Sequence, residues 1–304
     1  MAEFTQKQLL ELVNSIQVDS GNARVRTITK RIVTDLFCAI EELDISPDEF
    51  WAGISWLSRL GASGQTGLIT AGLGFDRLID IRQDEADEAA GRAAGTPRAI
   101  EGPLYIPGAP LSHVEVRLDE DPVRGDVVVM EGRVLNTAGQ PVADAYVDVW
   151  HANELGRYSH FDPDQEDYHL RRKIKTDDQG RYRFRSFIPP GYAIPPNSPT
   201  SELFEALGRH GNRPAHIHFL VAADGMRTLT TQVNIPGDTY LDDDFAFATR
   251  DGLVVELQPG TQPGGYESLG ITGPFTRVQF DFVLQDALDS DEARPDARMA
   301  RVLD

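Results

Sequence analysis

The stretch GRVLNTAGQPVADAYVDVW (residues 132–150), followed by TDDQGRYRF (176–184), decides the fold. Apolar residues recur at every second position on either side of a break marked by Asn136, Gly139 and Pro141, and a further turn at Gly180 precedes Tyr182 and Phe184. Period-two alternation punctuated by Gly, Pro and Asn reads as strand, tight turn, strand, then turn and a third strand. Outward from this stretch the same pattern predicts strands over 113–118, 127–135, 145–151, 181–187, 215–221, 228–235 and 276–283. Short strands joined by turns predict an antiparallel β-sandwich. A helix is expected to interrupt it over 201–208. From about residue 286 the chain turns polar and is expected to be partly disordered.

Upstream the period changes to that of a helix. Thr5 and Gln8 make a capping-box pattern ahead of Leu9, Leu10, Val13 and Ile16. Val25, Ile28, Ile32, Leu36, Ile40 and Leu43 recur at three- and four-residue steps, predicting one long helix with a wide apolar stripe. Ser46-Pro47-Asp48-Glu49 opens another helix that carries Phe50, Ile54, Leu57 and Leu60 and stops near Gly61. Residues 83–98 lose the apolar period and gain Ala, Gly and acids, which reads as a linker with a solvated surface. The expected architecture is therefore mixed α and β: a helical domain over 1–95, suited to dimerisation, and a sandwich domain over 96–304. The apolar stripes exceed what one small helical layer covers, so they must meet the sandwich or another subunit.

The chain has 304 residues, with 29 Lys and Arg against 48 Asp and Glu, for a net charge of −19. A nucleic-acid binder needs clustered cations, so that class is excluded. No apolar run is long enough to cross a bilayer, and MAEFTQKQLLELV has neither the basic start nor the apolar centre of a signal peptide. A soluble, cytoplasmic protein is expected. The single cysteine, Cys38, allows no internal disulfide and no Cys-rich zinc site, and reads as a small buried apolar residue of the long helix. Any metal must be held by His, Asp, Glu or Tyr.

Arg213-Pro-Ala-His216-Ile-His218 contains an H-x-H, and residues two apart on a strand point to one face. Two imidazoles can thus reach one metal, although such a pair by itself is more often two half-exposed or hydrogen-bonded histidines. Tyr158, in WHANELGRYS (150–159), and Tyr192, in IPPGY (188–192), stand in turn-rich segments with no obvious core to fill. The pattern of turns alone also fits non-catalytic, prealbumin-like modules that bind carbohydrate or adhere, so a binding module stands as the non-enzyme alternative.

Together WHANxxGxYS, IPPGY, GRHGNRPAHIHF (208–219), LTTQ (229–232) and DDFAFATRDGL (243–253) resemble the intradiol ring-cleaving dioxygenases, and among these the catechol 1,2-dioxygenases. The resemblance spans nearly the whole chain, including GTPRAIEGPLY (95–105) and the helical part. It implies a prealbumin-like sandwich and a non-haem Fe(III) held by Tyr158, Tyr192, His216 and His218. It implies that catechol binds as a dianion, that Tyr192 leaves the metal and accepts a proton, and that the product is cis,cis-muconate with both atoms of O2 incorporated. Arg213 is implied to face the substrate ring and Gln232 to hydrogen-bond near the iron. The ligand set makes chemical sense: phenolates are hard anionic donors that favour the ferric state. Deprotonating a phenol of pKa near 10 costs about 4 kcal/mol at neutral pH, within reach of a trivalent ion.

By motif position, Leu68, Ala71, Ile100, Pro103, Leu104, Phe245 and Ala246 are implied to line an aromatic slot with Arg213. The sequence departs from the family's usual pattern at Ser198, where glycine is more common, and relatives vary at the Ala71 position. Hydroxyquinol or a chlorocatechol therefore stands as the alternative substrate. The remaining histidines, His113, His151, His160, His169 and His210, lack a ligand pattern, although His160 would share a face with Tyr158 if that stretch were extended. The resemblance also implies a homodimer through the helical domain, with a lipid tail as a possible ligand at the interface.

Overall fold

The computed structural model describes residues 4–16, 21–119, 125–260 and 264–288. Contacts divide the chain into two compact units, Met1–Ala62 and Ser63–Asp304. The first holds α1 (Gln6–Ser15), α2 (Ala23–Glu42) and α3 (Pro47–Ala62). Each starts at a cap legible in the sequence. Thr5 Oγ1 accepts from Gln8 N while Gln8 Oε1 accepts from Thr5 N, Asn22 Oδ1 accepts from Arg24 N and Val25 N, and Ser46 and Glu49 repeat the reciprocal box. The apolar stripes are as expected, yet α1 and α2 bury no residue and α3 buries only Leu60. Leu36 is 57% exposed and Trp51 65%. Cys38 was expected inside and is exposed, because it lies on a side of α2 that the single chain leaves open.

The second unit opens with α4 (Thr66–Gly72) and α5 (Phe75–Ala89). Helix α5 runs through residues expected to be linker. Gln83, Glu85, Ala86, Glu88 and Ala89 are good helix formers, so helix continues where the apolar period stops. The charge there is not simply solvated either. Asp87 is buried and receives Arg98 Nη2 at 2.5 Å, Arg92 Nη1 at 2.7 Å and Arg227 Nη1 at 2.9 Å, while Asp84 pairs with Arg98 and Arg250. Ion pairs replace apolar contacts on this face. The break expected at residue 95 follows the hydrophobic period, whereas the compact unit begins at 63 because α5 is bonded to the residues beyond it.

The strands are β1 (Leu111–His113), β2 (Glu115–Arg117), β3 (Val127–Asn136), β4 (Tyr146–Trp150), β5 (Arg171–Lys175), β6 (Arg181–Phe187), β7 (Tyr192–Ala193), β8 (Asn212–Arg213), β9 (His216–Ala222), β10 (Leu229–Asn234), β11 (Gln258–Gly260), β12 (Phe275–Gln279) and β13 (Phe282–Leu284). One sheet has the order β1-β5-β4-β9-β10; the other runs β11-β12-β3-β6-β2, with β13 also on β3; β7 and β8 form a ribbon. The central pairs β4–β9, β9–β10, β4–β5 and β3–β6 are antiparallel, as expected. The flanking pairs β1–β5, β2–β6, β12–β3 and β13–β3 are parallel, so the sheets are mixed. The expected strand 113–118 is split at Val114, whose φ is +59°, and 276–283 is split before Phe282. Strand β5 escaped the sequence reading because RRKIK hides its alternation behind four cations. Helix α6 (Pro199–Ala206) starts two residues early, capped by Ser198, whose Oγ accepts from Ser201 N. The tail beyond 288 lies outside the described residues.

Val147 and Val149 of β4, Ile217, Phe219 and Val221 of β9, and Val128, Met130, Phe184 and Phe282 of the other sheet meet in one core. The alternate residues of β4 and β9, Trp150, His216, His218 and Leu220, therefore point away from that core. Outside it Trp150 and Leu220 pack with Tyr105 and Tyr158.

Because Asp87 neutralises two largely buried guanidinium groups, Asp87→Ala should cost about 3 kcal/mol in urea unfolding. Arg31→Ala, which breaks the exposed Arg31–Asp35 pair, should cost nothing measurable.

Candidate active site

Strand β9 brings both histidines to the outer face of its sheet. Register places His218 between Trp150 on β4 and Gln232 on β10. Trp150 stacks on His218 with ring centroids 4.9 Å apart and planes 5° apart, which holds the imidazole upright. The Nε2 atoms of His216 and His218 lie 3.0 Å apart. His216 Nδ1 is 2.6 Å from the Pro214 carbonyl, which assigns its proton to Nδ1 and leaves a lone pair on Nε2. Burial, and then the Arg213 charge, depress the His216 pKa to about 3. Burial, and then His216, hold His218 well below the usual histidine range. Both imidazoles are therefore neutral and available as ligands at ordinary pH.

The two tyrosines arrive from loops. Gly156, at φ +74°, turns the chain two residues before Tyr158, and a Cβ there would lie 2.8 Å from Tyr192 Cβ. Glycine is what lets the two segments touch. The Tyr158 and Tyr192 rings meet edge to face at 5.5 Å, and Tyr192 lies 5.4 Å from His216. Tyr192 pairs in register with Arg213 across the β7–β8 ribbon. Tyr158 is buried and its hydroxyl has no hydrogen-bond partner, as is also true of His218 Nδ1. Burial, and then the neighbouring Tyr192, push the Tyr158 phenol well above its ordinary pKa. An orphaned buried phenol beside two neutral imidazoles whose Nε2 atoms converge suits a cation that would replace the phenol proton. Among the described residues no group of three His, Cys, Asp or Glu side chains could hold a metal, and the two phenols are the further O donors beside the imidazoles.

Arg213 is buried beside this cluster. Its Nη1 is 3.0 Å from His216 Nε2, its Nη2 donates to Gln232 Oε1 at 2.8 Å, and Nε and Nη2 both reach Asp244 at 3.1 Å. Burial works against the guanidinium charge, but Asp244, Tyr192 and Tyr158 together outweigh it and raise the pKa, so the group stays charged. Gln232 is wholly buried behind Arg213, and its Nε2 donates to Asn234.

Tyr158, Tyr192, Arg213 and His218 line a cavity of about 1100 Å³, together with Leu68, Ala71, Ile100, Pro103, Leu104, Phe245 and Ala246. Every sequence-named pocket residue is thus on one cavity; His216 and Gln232 stand behind its wall. His160 is not among them. It sits in a turn at φ +68°, meets Tyr168 edge to face and faces Asp167, so the extended geometry that would align it with Tyr158 does not occur. His151 is buried with Nε2 2.7 Å from Ser186 Oγ and plays a packing role.

Sequence reasoning missed Asp244, one carboxylate among many, although it stood in the quoted DDFAFATRDGL. It also missed Arg171, which donates to Ser159 Oγ and lies 5.8 Å from the Tyr158 ring, because a cation in RRKIK reads as surface. The alternation of β4 could have placed Trp150 beside the histidines, had its pairing partner been known.

Residues 100–286 match the family model described as Dioxygenase, and residues 22–91 the one described as Catechol dioxygenase N terminus. The chain is 55% identical over 246 residues to catechol 1,2-dioxygenase 2 of Acinetobacter lwoffii, covering 81% of this chain and 90% of that one. It superposes on the crystal structure of catechol 1,2-dioxygenase from Pseudomonas arvilla C-1 with a TM-score of 0.88 at 46% identity, covering 96% and 95% of the two chains. Identity is lower to a chlorocatechol 1,2-dioxygenase of Rhodococcus opacus, 38% over 80% of this chain and 90% of that one, and to a hydroxyquinol 1,2-dioxygenase of Rhizobium sp., 31% over 92% and 96%.

Burial lowers the pKa of His151 to about 4, as it lowers those of His216 and His218. The unfolded chain takes up protons below about pH 6.5 that the folded chain refuses, so stability is full above that pH and falls as pH drops toward 4. Urea unfolding of metal-free protein at pH 7.5 and pH 5 should show this loss. His151→Gln should reduce it, by at most about 2 kcal/mol between those two pH values.

Proposed function

We infer that this chain, which belongs to the intradiol ring-cleaving dioxygenase family, is a catechol 1,2-dioxygenase. It opens catechol between its two hydroxyl-bearing carbons with O2 and yields cis,cis-muconate carrying both oxygen atoms. The observation that carries the reading is the convergence of two phenols, one buried guanidinium and the His218 imidazole on a single cavity, with the neutral His216 imidazole against His218 just behind its wall. The resident group we propose is non-haem Fe(III), held by Tyr158, Tyr192, His216 and His218. When bound, a ferric ion of this hard O and N ligation would supply the Lewis-acid and redox chemistry that makes the diol ring reactive toward O2.

The chain's own residues do the rest. Both tyrosines line the cavity, but Tyr192 is half-buried and Tyr158 almost wholly buried, so the Tyr192 oxygen is the one open to a proton from the entering diol. Arg213 presents a fixed positive charge where anionic character develops on the substrate, and Gln232 and Asp244 hold it there. Leu68, Ala71, Ile100, Pro103, Leu104, Phe245 and Ala246 supply apolar walls that orient a flat ring and exclude water.

Tyr158→Phe should lose most of the tyrosinate-to-iron charge-transfer colour together with activity, whereas Arg213→Ala should keep iron and colour and lose at least about 100-fold in turnover. Iron analysis, the visible spectrum and O2 uptake distinguish the two. Faster consumption of hydroxyquinol than of catechol by the unaltered enzyme would replace the named substrate.

We place a second copy of the chain against the exposed stripe of α1–α3, forming a homodimer in the cytoplasm, with an acyl chain as the ligand that such a stripe would accept. The support is apolar surface left open along α1 and α2. None of the described helices is long and apolar enough to cross a membrane. Light scattering should give twice the chain mass, and Leu36→Glu combined with Ile40→Glu should halve it without changing the folded circular dichroism spectrum.

A further inference from the structure

We propose that Asp244 is a positioning residue that ties the Arg213 guanidinium and the Phe245–Ala246 wall of the cavity into one unit, so that a substrate ring meets charge and wall together. The proposal rests on the reading of this cavity as the catechol site.

Each oxygen of the Asp244 carboxylate serves both sides. Oδ1 accepts from Arg213 Nε at 3.1 Å and from Ala246 N at 3.0 Å. Oδ2 accepts from Arg213 Nη2 at 3.1 Å and from Ala248 N at 3.1 Å. The bidentate pair sets the plane of the guanidinium, and the two backbone bonds set the turn that presents Phe245 and Ala246 to the cavity. The Asp244 side chain is only 1% exposed and that of Arg213 6%, so water cannot take the place of either partner. A further strut runs from Phe245 N to the carbonyl of Asn212, the residue before Arg213.

The wall cannot relax away from the substrate. Phe245 packs edge to face on Phe204 with centroids 4.7 Å apart. A Cβ on Gly72 would lie 2.4 Å from Phe245 Cζ and 2.5 Å from Phe204 Cζ, so α4 closes the space behind the ring. Pressure on Phe245 is therefore borne by the turn that Asp244 holds, and through the carboxylate by Arg213. A carboxylate that only neutralised Arg213 would need no backbone partners. One that only capped the turn would need no guanidinium. Residues that share such a partner are expected to act non-additively.

The test is a mutant cycle on iron-loaded enzyme with catechol. Arg213→Lys, Phe245→Leu and the double variant are compared with their parent, and all four are repeated with Asp244→Asn. In the parent background the double variant's kcat/KM should depart from the product of the single effects by about fivefold or more, and with Asp244→Asn by less than about twofold. Asp244→Asn itself should lower kcat/KM while leaving iron content and the visible band unchanged, and Asp244→Glu should recover part of the loss. Multiplicative effects in the parent overturn the proposal even if Asp244→Asn fails to fold. So does coupling that survives Asp244→Asn, or loss of the iron band in that variant. A parent that does not cleave catechol would instead overturn the functional reading, which keeps the two failures apart.

Discussion

The pleat of β9 is the constraint on which the rest of the site depends. Ile217, Phe219 and Val221 are drawn into the core between the sheets, and a period of two then obliges His216 and His218 to face outward. A slip of one residue would bury the imidazoles among valines and turn the core residues toward the cavity, so the core that stabilises the sandwich also fixes the ligand register. The neighbouring strands share this economy. Val147 and Val149 of β4 enter the same core, and Trp150, one step on, stacks on His218 from outside.

Around the imidazoles the site is an accounting of buried charge. A guanidinium removed from water is tolerable only with a carboxylate, and Asp244 supplies one in a bidentate pair at 3.1 Å. The same burial keeps His216 and His218 neutral and leaves the Tyr158 hydroxyl without a partner. A metal-binding site must be made this way. A buried phenol kept short of partners gains most when a cation arrives, whereas a donor already engaged, as His216 Nε2 is beside Arg213 Nη1, exchanges that contact for the metal.

The large negative charge, which read at first as surface, is partly structural. Asp84 and Asp87 fasten α5 through Arg92, Arg98, Arg227 and Arg250, reaching across sequence separations that no local pattern reveals. These bonds join α5 to the segment that leads into Ile100, Pro103 and Leu104, so ion pairs distant from the chemistry help to set one wall of the cavity. The helices of the first unit show the opposite case, with apolar stripes that the single chain leaves uncovered.

Local order was legible wherever the physics is local. The caps at Thr5, Asn22 and Ser46, the strand period of β3, β4, β6, β9 and β10, and the shared face of His216 and His218 all follow from residues within a few positions of one another. The sequence by itself therefore determined the fold class and which side chains could meet on β9, and the motifs it carries named the cavity residues. Tertiary structure alone decided what lies far apart along the chain: Asp244 against Arg213, Arg171 beneath Tyr158, and Asp87 at the centre of three arginines. Charge has no periodicity that separates a solvated carboxylate from a buried one. Only the folded chain, by excluding water around a few of its many acids, makes that distinction.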